Sequence, residues 1–242
     1  MIIDASSLDR VHAYKLLIGS IIPRAIGWVS TVSKDGIGNL APISFFTGAG
    51  PQPPSVFLGL QPRSDGVTPK DTFVNIRDTG EYCVNIATLE QAHKMHQTAF
   101  EFPPEDDEFV KVGLEKAPCK TIKAPRVKGA PISMECRVTQ IIPMNDVGDH
   151  SILGEVLHFH IRDDLYLERG RIDTAAIHSV GRLAAEYTLV ESVFITPLEE
   201  AVLAARAGQR MHRLDAHPEG WSPIDTKSWS ASGSLMHIGE TL

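Results

Sequence analysis

Short runs of alternating apolar and polar residues, broken by glycine- and proline-bearing turns, set the pattern of this chain. Ile26, Trp28 and Ser30 share one face of a first strand, while Val29, Thr31 and Val32 supply β-branched bulk. Lys34-Asp35-Gly36 reads as a hairpin turn, because glycine accepts the positive φ that a tight turn demands. Residues 39–46 return as a second strand, and Pro42 predicts an edge or a kink because it cannot donate to a ladder. Upstream, Leu8, Val11, Tyr14 and Leu17 predict a short amphipathic helix over 8–18, ended by Gly19. Downstream, residues 45–54 read as a glycine- and proline-rich crossing, 55–60 as a buried strand and 61–69 as a polar loop containing Arg63. A helix is predicted over 70–77 with Phe73, Ile76 and Val74 inward, then a strand over 81–87. Leu89, Ala92, Met95 and Ala99 mark the buried stripe of a helix over 89–99. The acidic, proline-bearing stretch 100–109 is a solvated loop or a lid. The run 132–142 predicts a long strand with Met134, Cys136, Val138 and Gln140 on one face and Ser133, Glu135, Arg137, Thr139 and Ile141 on the other. A turn at 148–151 leads into a strand over 152–162 with Leu153, Leu157, Phe159 and Ile161 on one face, and 173–177 reads as a helical turn.

Composition narrows this picture. At 242 residues and 43% hydrophobic, the chain can bury one full core. Nineteen glycines and sixteen prolines between many short strands favour a mainly β fold with flanking helices. The division expected is a domain over 1–196 and a C-terminal extension over 197–242. That extension carries an alanine-rich helix over 198–207 and two large anchors, Trp221 and Trp229, in an otherwise polar tail. It either covers the pocket mouth or a partner subunit, or is loosely attached. A net charge of −7 argues against a nucleic-acid surface and requires that any anion be held by a local cluster. Cys83, Cys119 and Cys136 are odd in number and form no CxxC pair, so they read as reduced thiols in a cytoplasmic setting and not as a disulfide frame or zinc site. No basic and apolar leader is apparent over 1–10. The apolar stretch 16–29 is interrupted by Pro23 and Arg24 and is too short to span a bilayer, so a soluble protein without a membrane partner is expected.

Four places carry candidate chemistry. Ser30, Thr31, Asn39 and Ser44, with Phe45 and Phe46 beside exposed backbone, suit a flat ligand with polar edges; the alternative is an ordinary hairpin. Lys70 and Thr72 open a helix, where free N–H groups attract phosphate; the alternative is a surface lysine and a capping threonine. His93 and His96 lie three apart on a helix and read as a solvent-facing pair. His158 and His160 lie two apart on a strand with Glu155 on the wrong face to join them, so they read as exterior or dimer-facing, and no metal ligands are assigned. Gly48-Ala49-Gly50 lacks the third glycine of a dinucleotide fingerprint and is set aside.

The series Pro23-Arg24-Ala25-Ile26-Gly27-Trp28-Val29-Ser30-Thr31-Val32, then Asp35-Gly36, then Asn39-Leu40-Ala41-Pro42-Ile43-Ser44-Phe45-Phe46 resembles the opening of the flavin reductase-like family. Three later stretches fit the same resemblance in order: Lys70-Asp71-Thr72 with Asn75-Ile76 and Gly80-Glu81-Tyr82-Cys83-Val84-Asn85; Gly148-Asp149-His150 with Gly154-Glu155-Val156; and Gly181-Arg182 with Tyr187. The resemblance covers residues 8–195. It departs at Ala25 for a usual proline, at Ile43 for an aromatic, and at Ala184 and Ala185 for usual glycines. It implies a six-stranded, Greek-key-like split β-barrel that binds FMN and works as a homodimer, with FAD and riboflavin open as alternatives. It implies an oxidoreductase, an NAD(P)H:flavin reductase passing a hydride from nicotinamide C4 to flavin N5, with an oxygenase or redox protein as electron acceptor. The alternatives are an FMN-binding electron carrier, for which the acidic residues 105–108 would form a docking patch, and a non-redox flavin-binding module. By the same resemblance Arg24, Trp28, Ser30, Thr31, Asn39, Ala41, Ser44, Phe45, Phe46, Lys70, Thr72 and Arg182 would contact the cofactor. His150 would lie beside flavin and nicotinamide; read alone, it is a turn histidine capped by Asp149. Arg182 would reach phosphate or pair with Glu186.

Overall fold

The computed structural model describes residues 1–167 and 170–190; the expectations for 197–242 fall outside them. The predicted hairpin forms between β1 (Gly27–Val32) and β2 (Gly38–Ile43), with Gly36 at φ +84° in the turn. β3 (Phe46–Pro51) and β4 (Pro54–Leu60) follow as a second hairpin, so the expected crossing over 45–54 is instead largely a strand. Its small residues leave β3 exposed, with no buried face to announce it in the sequence. β5 (Glu81–Asn85), two-residue β6 (Lys116–Ala117) and β7 (Arg126–Val127), and the long β8 (Ile132–Pro143) and β9 (His150–Ile161) come next. One antiparallel sheet runs β2-β1-β5-β8-β9-β4-β3, seven strands where six were expected. Small two-stranded ribbons pair β6 with β7, β10 (Tyr166–Leu167) with β11 (Arg171–Ile172), and β12 (Val180–Arg182) with β13 (Tyr187–Leu189).

The sheet curls about a core made by Val29, Leu58, Val84, Met134 and Ile152, closed by Phe73 and Ile76 of helix α2 (Asp71–Thr79) once helix α1 (Arg10–Ser20) has led into β1. A second core lies on the other face of the hairpin, where Trp28 and Leu40 meet Met95 of α3 (Ala92–Gln97), Phe109 of α4 (Glu108–Lys111), Val127 and Val180. Alternation therefore sends Val29 into one core and Trp28 into the other, which buries β1 on both faces. Among the described residues no helix is long and apolar enough to cross a membrane.

Several local expectations are corrected. α1 starts two residues later than predicted because Asp9 caps it, accepting from His12 N at 2.8 Å, and its apolar stripe is not buried: only Ile18 is, while Val11, Tyr14 and Leu17 face solvent. The helix over 89–99 is a 3₁₀ turn (Leu89–Gln91) followed by the short α3; Met95 is buried, but Leu89 and Ala99 are exposed. A register shift between Val138 and Gln140 lets Ile141 join Val138 against the core and leaves Gln140 exposed. On β9 it is Ile152 and Val156 that enter the core, and the register shift after Glu135 splits the expected face: Leu153 and Leu157 turn outward, while Phe159 and Ile161 pair with Met134 and Ile132. The stretch 173–177 is a turn and not helical.

Gly154 sits between Ile152 and Val156 because the hydroxyl end of Tyr82 presses against it: a Cβ there would be 2.8 Å from Tyr82 Cζ and closer still to the hydroxyl. The Tyr82 hydroxyl is buried and among the described residues has no hydrogen-bond partner; the Cys136 thiol lies near it. Gly154→Ala is expected to destabilise the protein by about 1–3 kcal/mol in urea unfolding through overpacking. Tyr82→Phe alone removes an unsatisfied buried group and should leave stability unchanged or raised, and in the double variant it should recover part of the Gly154→Ala loss. Strict additivity of the two would contradict the proposed contact.

Candidate functional site

β2 is an edge strand, so its outward N–H groups need partners that are not strands. The segment after α3 supplies them. Asp107 caps α4 by accepting from Phe109 N at 3.1 Å, and its other oxygen accepts from Gly38 N at 3.1 Å. Glu108 accepts from Leu40 N at 2.9 Å. The next outward position is Pro42, which has no N–H to satisfy. Beyond this point the edge is bare, and a groove opens along Asn39, Ala41, Pro42 and Ile43, walled by Lys70, Thr72, Glu108 and residues 98–102. A second hollow continues past Pro42 and Ile43 to Tyr14, Ser44 and Phe45, and Lys70 lines both.

The charges in the groove are unequally satisfied. Arg63 is paired with Asp71 at 2.6 Å and donates to Phe102 O at 3.1 Å. Lys70 is the N-cap of α2, has no side-chain cap bond and makes no ion pair among the described residues; burial holds its pKa below the ordinary lysine value. Glu108 is 5% exposed, and burial, reinforced by the charge of Asp71, pushes its carboxyl up to about 8 against the opposing Leu40 N–H. Its Oε1 lies 3.1 Å from the Asn39 amide, whose other end is 2.9 Å from Thr72 Oγ1. A protonated Glu108 donates to the amide oxygen; an ionised one requires the amide reversed, with nitrogen toward the carboxylate. Proton and amide orientation are thus linked.

The structure gathers Asn39, Ala41, Lys70 and Thr72 in the groove and Ser44, Phe45 and Lys70 in the adjoining hollow. It places the remaining expected contacts elsewhere. Trp28 is wholly buried and donates to Thr98 Oγ1 at 2.9 Å. Ser30 donates to Pro125 O at 2.5 Å, and Thr31 accepts from Asn75 Nδ2 at 3.0 Å, so both hydroxyls are spent inside the protein. Arg24 spends its guanidinium on Ile18 O, Ile21 O and Leu183 O at 2.5, 3.1 and 2.6 Å. Phe46 packs over Gly27 against the inner core. Arg182 lies over the Tyr187 ring at 4.6 Å in a hairpin, not one helical turn from Glu186, and its backbone exchanges hydrogen bonds with Arg24. His150 lines neither hollow: it stacks on Phe73 with centroids 3.9 Å apart, its Nδ1 is 2.8 Å from Gly148 O, and it pairs with Leu60, which does line the second hollow. Asp149 does not cap it but turns to Arg10 at 3.0 Å. The acidic patch is dispersed as well, since Glu108 is buried, Asp106 pairs with Lys111 and Asp107 with Lys116.

Sequence reasoning missed Glu108 and the wall 98–102. The available signal was an aspartate followed by Glu108 and the apolar pair Phe109-Val110, a helix start inside the acidic stretch.

Because the folded-state pKa of Glu108 is raised, stability linked to its neutral form is complete below pH 4.5 and is lost as pH rises toward 8. Glu108→Gln should match the parent near pH 4.5 and exceed it near pH 9, by at most about 5 kcal/mol at 1.36 kcal/mol per unit. Urea unfolding across this range checks it, and a difference independent of pH would refute a buried neutral acid.

Comparison with known proteins agrees with this architecture. Residues 18–176 match the family model described as flavin reductase like domain. An uncharacterized protein of Aquifex aeolicus is 42% identical over 179 residues, 74% of this chain and 90% of its own. The crystal structure of nitrilotriacetate monooxygenase component B from Bacillus cereus superposes with a TM-score of 0.77 at 31% identity, over 81% of this chain and 98% of its own. For 2-nitrobenzoate 2-nitroreductase NbaA of Pseudomonas fluorescens the TM-score is 0.74 at 28% identity, over 83% and 98%. A match over most of the chain, carried by the same strands that build the groove, makes this protein a member of the flavin reductase-like family.

Proposed function

We propose that the protein is an NAD(P)H-dependent flavin reductase that holds FMN along the bare part of the β2 edge, with the phosphate at Lys70. The observation that carries this reading is the half-buried Lys70 ammonium, unpaired among the described residues, beside an Arg63 already neutralised by Asp71. Lys70 also stands at the start of α2, whose first N–H groups lack side-chain caps and favour an anion. The donor set fits a flavin phosphate: a cation that gains charge stabilisation from an anion, flanked by Thr72. Ala41, Pro42 and Ile43 offer backbone and apolar surface to a flat ring, with Phe100 and Phe102 in the facing wall.

A bound flavin would supply the redox chemistry between a nicotinamide donor and an acceptor such as an oxygenase. The chain's own residues bind and orient. Lys70 neutralises phosphate, while Asn39 and Glu108 present a proton-linked hydrogen-bonding pair to the groove. A neutral Glu108 spares the groove a negative charge. His150, held by Phe73 and Gly148 and paired with Leu60 of the second hollow without lining it, would reach a nicotinamide only from behind that hollow's wall. Trp28, Ser30, Thr31 and Arg24 act behind the site by fixing β1 and its neighbours. A homodimer is part of the reading; the exposed Val11, Tyr14 and Leu17 of α1 support it. So is a role for 197–242 in covering the pocket or the partner.

Anaerobic mixing of protein, FMN and either NADH or NADPH should bleach the flavin absorbance faster than free FMN is bleached. Reduction by dithionite but by neither nicotinamide would refute the reductase and favour an electron carrier. Lys70→Ala is expected to weaken FMN by about ten- to a hundredfold, the loss of a charge-assisted contact, while leaving riboflavin nearly unchanged. Equal weakening of both ligands would remove Lys70 from the phosphate site.

A further inference from the structure

His158 and His160 have no task in flavin binding, but the structure surrounds them with other donors. Glu135 of β8, not Glu155, is the carboxylate that meets them across the β8–β9 pair, where a register shift follows Glu135. It is wholly buried, and its oxygens are held in place from one side. Oε1 accepts from Lys120 N at 2.5 Å and lies 2.5 Å from His160 Nε2. Oε2 accepts from Thr121 N and Thr121 Oγ1 at 2.8 and 2.7 Å and lies 3.8 Å from His158 Nδ1. The loop that carries Lys120 and Thr121 also carries Cys119, half-buried against Cys83 and Ile122. The Cys119 thiol, a Glu135 oxygen and a His160 ring nitrogen all lie within 4.8 Å of one another.

We propose that Cys119, Glu135 and His160 bind one zinc-type divalent ion, with His158 as the fourth ligand. Thiolate, carboxylate and imidazole together are the donor set of tetrahedral zinc. Metal–ligand bonds of about 2.0–2.3 Å put tetrahedral donor atoms roughly 3.3–3.8 Å apart, so the three groups need only a small adjustment to share an ion. The carboxylate is already oriented by two backbone N–H groups and the Thr121 hydroxyl, the outer shell that a metal-bound carboxylate requires. Three of the four ligands, Glu135, His158 and His160, stand on paired strands, which keeps them rigid. His158 and Thr121 line an open depression with Arg137 and Leu157, which gives the ion a route from solvent. Binding removes the thiol proton of Cys119 and replaces the His160–Glu135 contact by the ion. None of these residues lines the β2 groove, so the site would clamp the loop after β6 to β8 and β9 whatever ligand the groove takes.

The full chain, stripped with a chelator and kept reduced, is titrated anaerobically with cobalt(II). A single saturable cobalt per chain is expected, with intense tetrahedral visible bands and a thiolate-to-cobalt band in the near ultraviolet, all displaced by zinc. Cys119→Ser should abolish the thiolate band, and Thr121→Val, which frees Glu135, should weaken binding by about ten- to a hundredfold. His93→Ala, at an exposed position of α3, serves as the control and should change nothing. Absence of a saturable spectrum, or a thiolate band that survives Cys119→Ser, would overturn the site and leave Glu135 and His160 as a hydrogen-bonded pair only.

Discussion

The outward N–H groups of β2 are the constraint on which the site depends. An edge strand cannot bury such groups unpaired, and here the partners are two consecutive carboxylates, Asp107 on Gly38 and Glu108 on Leu40. Meeting that need docks α4 on the sheet and places Phe109 in the outer core. It also draws Glu108 out of water, which is why its carboxyl favours the neutral form. Pro42 ends the series by having no N–H, and the groove opens along this part of the strand, from Asn39 to Ile43 beside Glu108. The wall, the acid and the opening all follow from satisfying one strand edge.

The hairpin behind that edge is held with equal strictness. β1 is buried on both faces, so its polar side chains must find partners within the protein: Ser30 on Pro125 O, Thr31 on Asn75, and the Trp28 indole on Thr98. Thr98 then continues into the groove wall, which links the outer core to the site through one hydroxyl. Arg24 gathers carbonyls from the end of α1, from Ile21 and from Leu183, fastening three segments distant in sequence. The residues that make this stretch resemble its family are thus of two kinds. Some line the groove, and others fix the frame that holds it.

The strand periodicities, the hairpin at Gly36, the edge marked by Pro42 and the helix start at Lys70 were legible because each depends on a local rule, namely side-chain alternation, positive φ, a missing N–H or a free helix terminus. Where local rules gave two answers, the sequence was silent. Alternation on β9 assigns two continuous faces, but the register shift after Glu135 exchanges them midway, and the core took Ile152 and Val156. The apolar stripe of α1 predicted burial, but Val11, Tyr14 and Leu17 are exposed and the helix buries Ile18, outside that stripe.

The sequence by itself determined a mainly β chain, six of the seven strands of its sheet in order and the family to which it belongs, because those rest on near-neighbour spacing and motif. Only the tertiary structure decided which polar residues are spent and which are free. Ser30, Thr31 and Arg24 find their partners 95, 44 and as many as 159 residues away, and Glu108 is placed against Leu40 from 68 residues away. Burial and pairing at such separations are properties of the assembled chain, so a reactive residue and a structural one look alike until the fold has paired them.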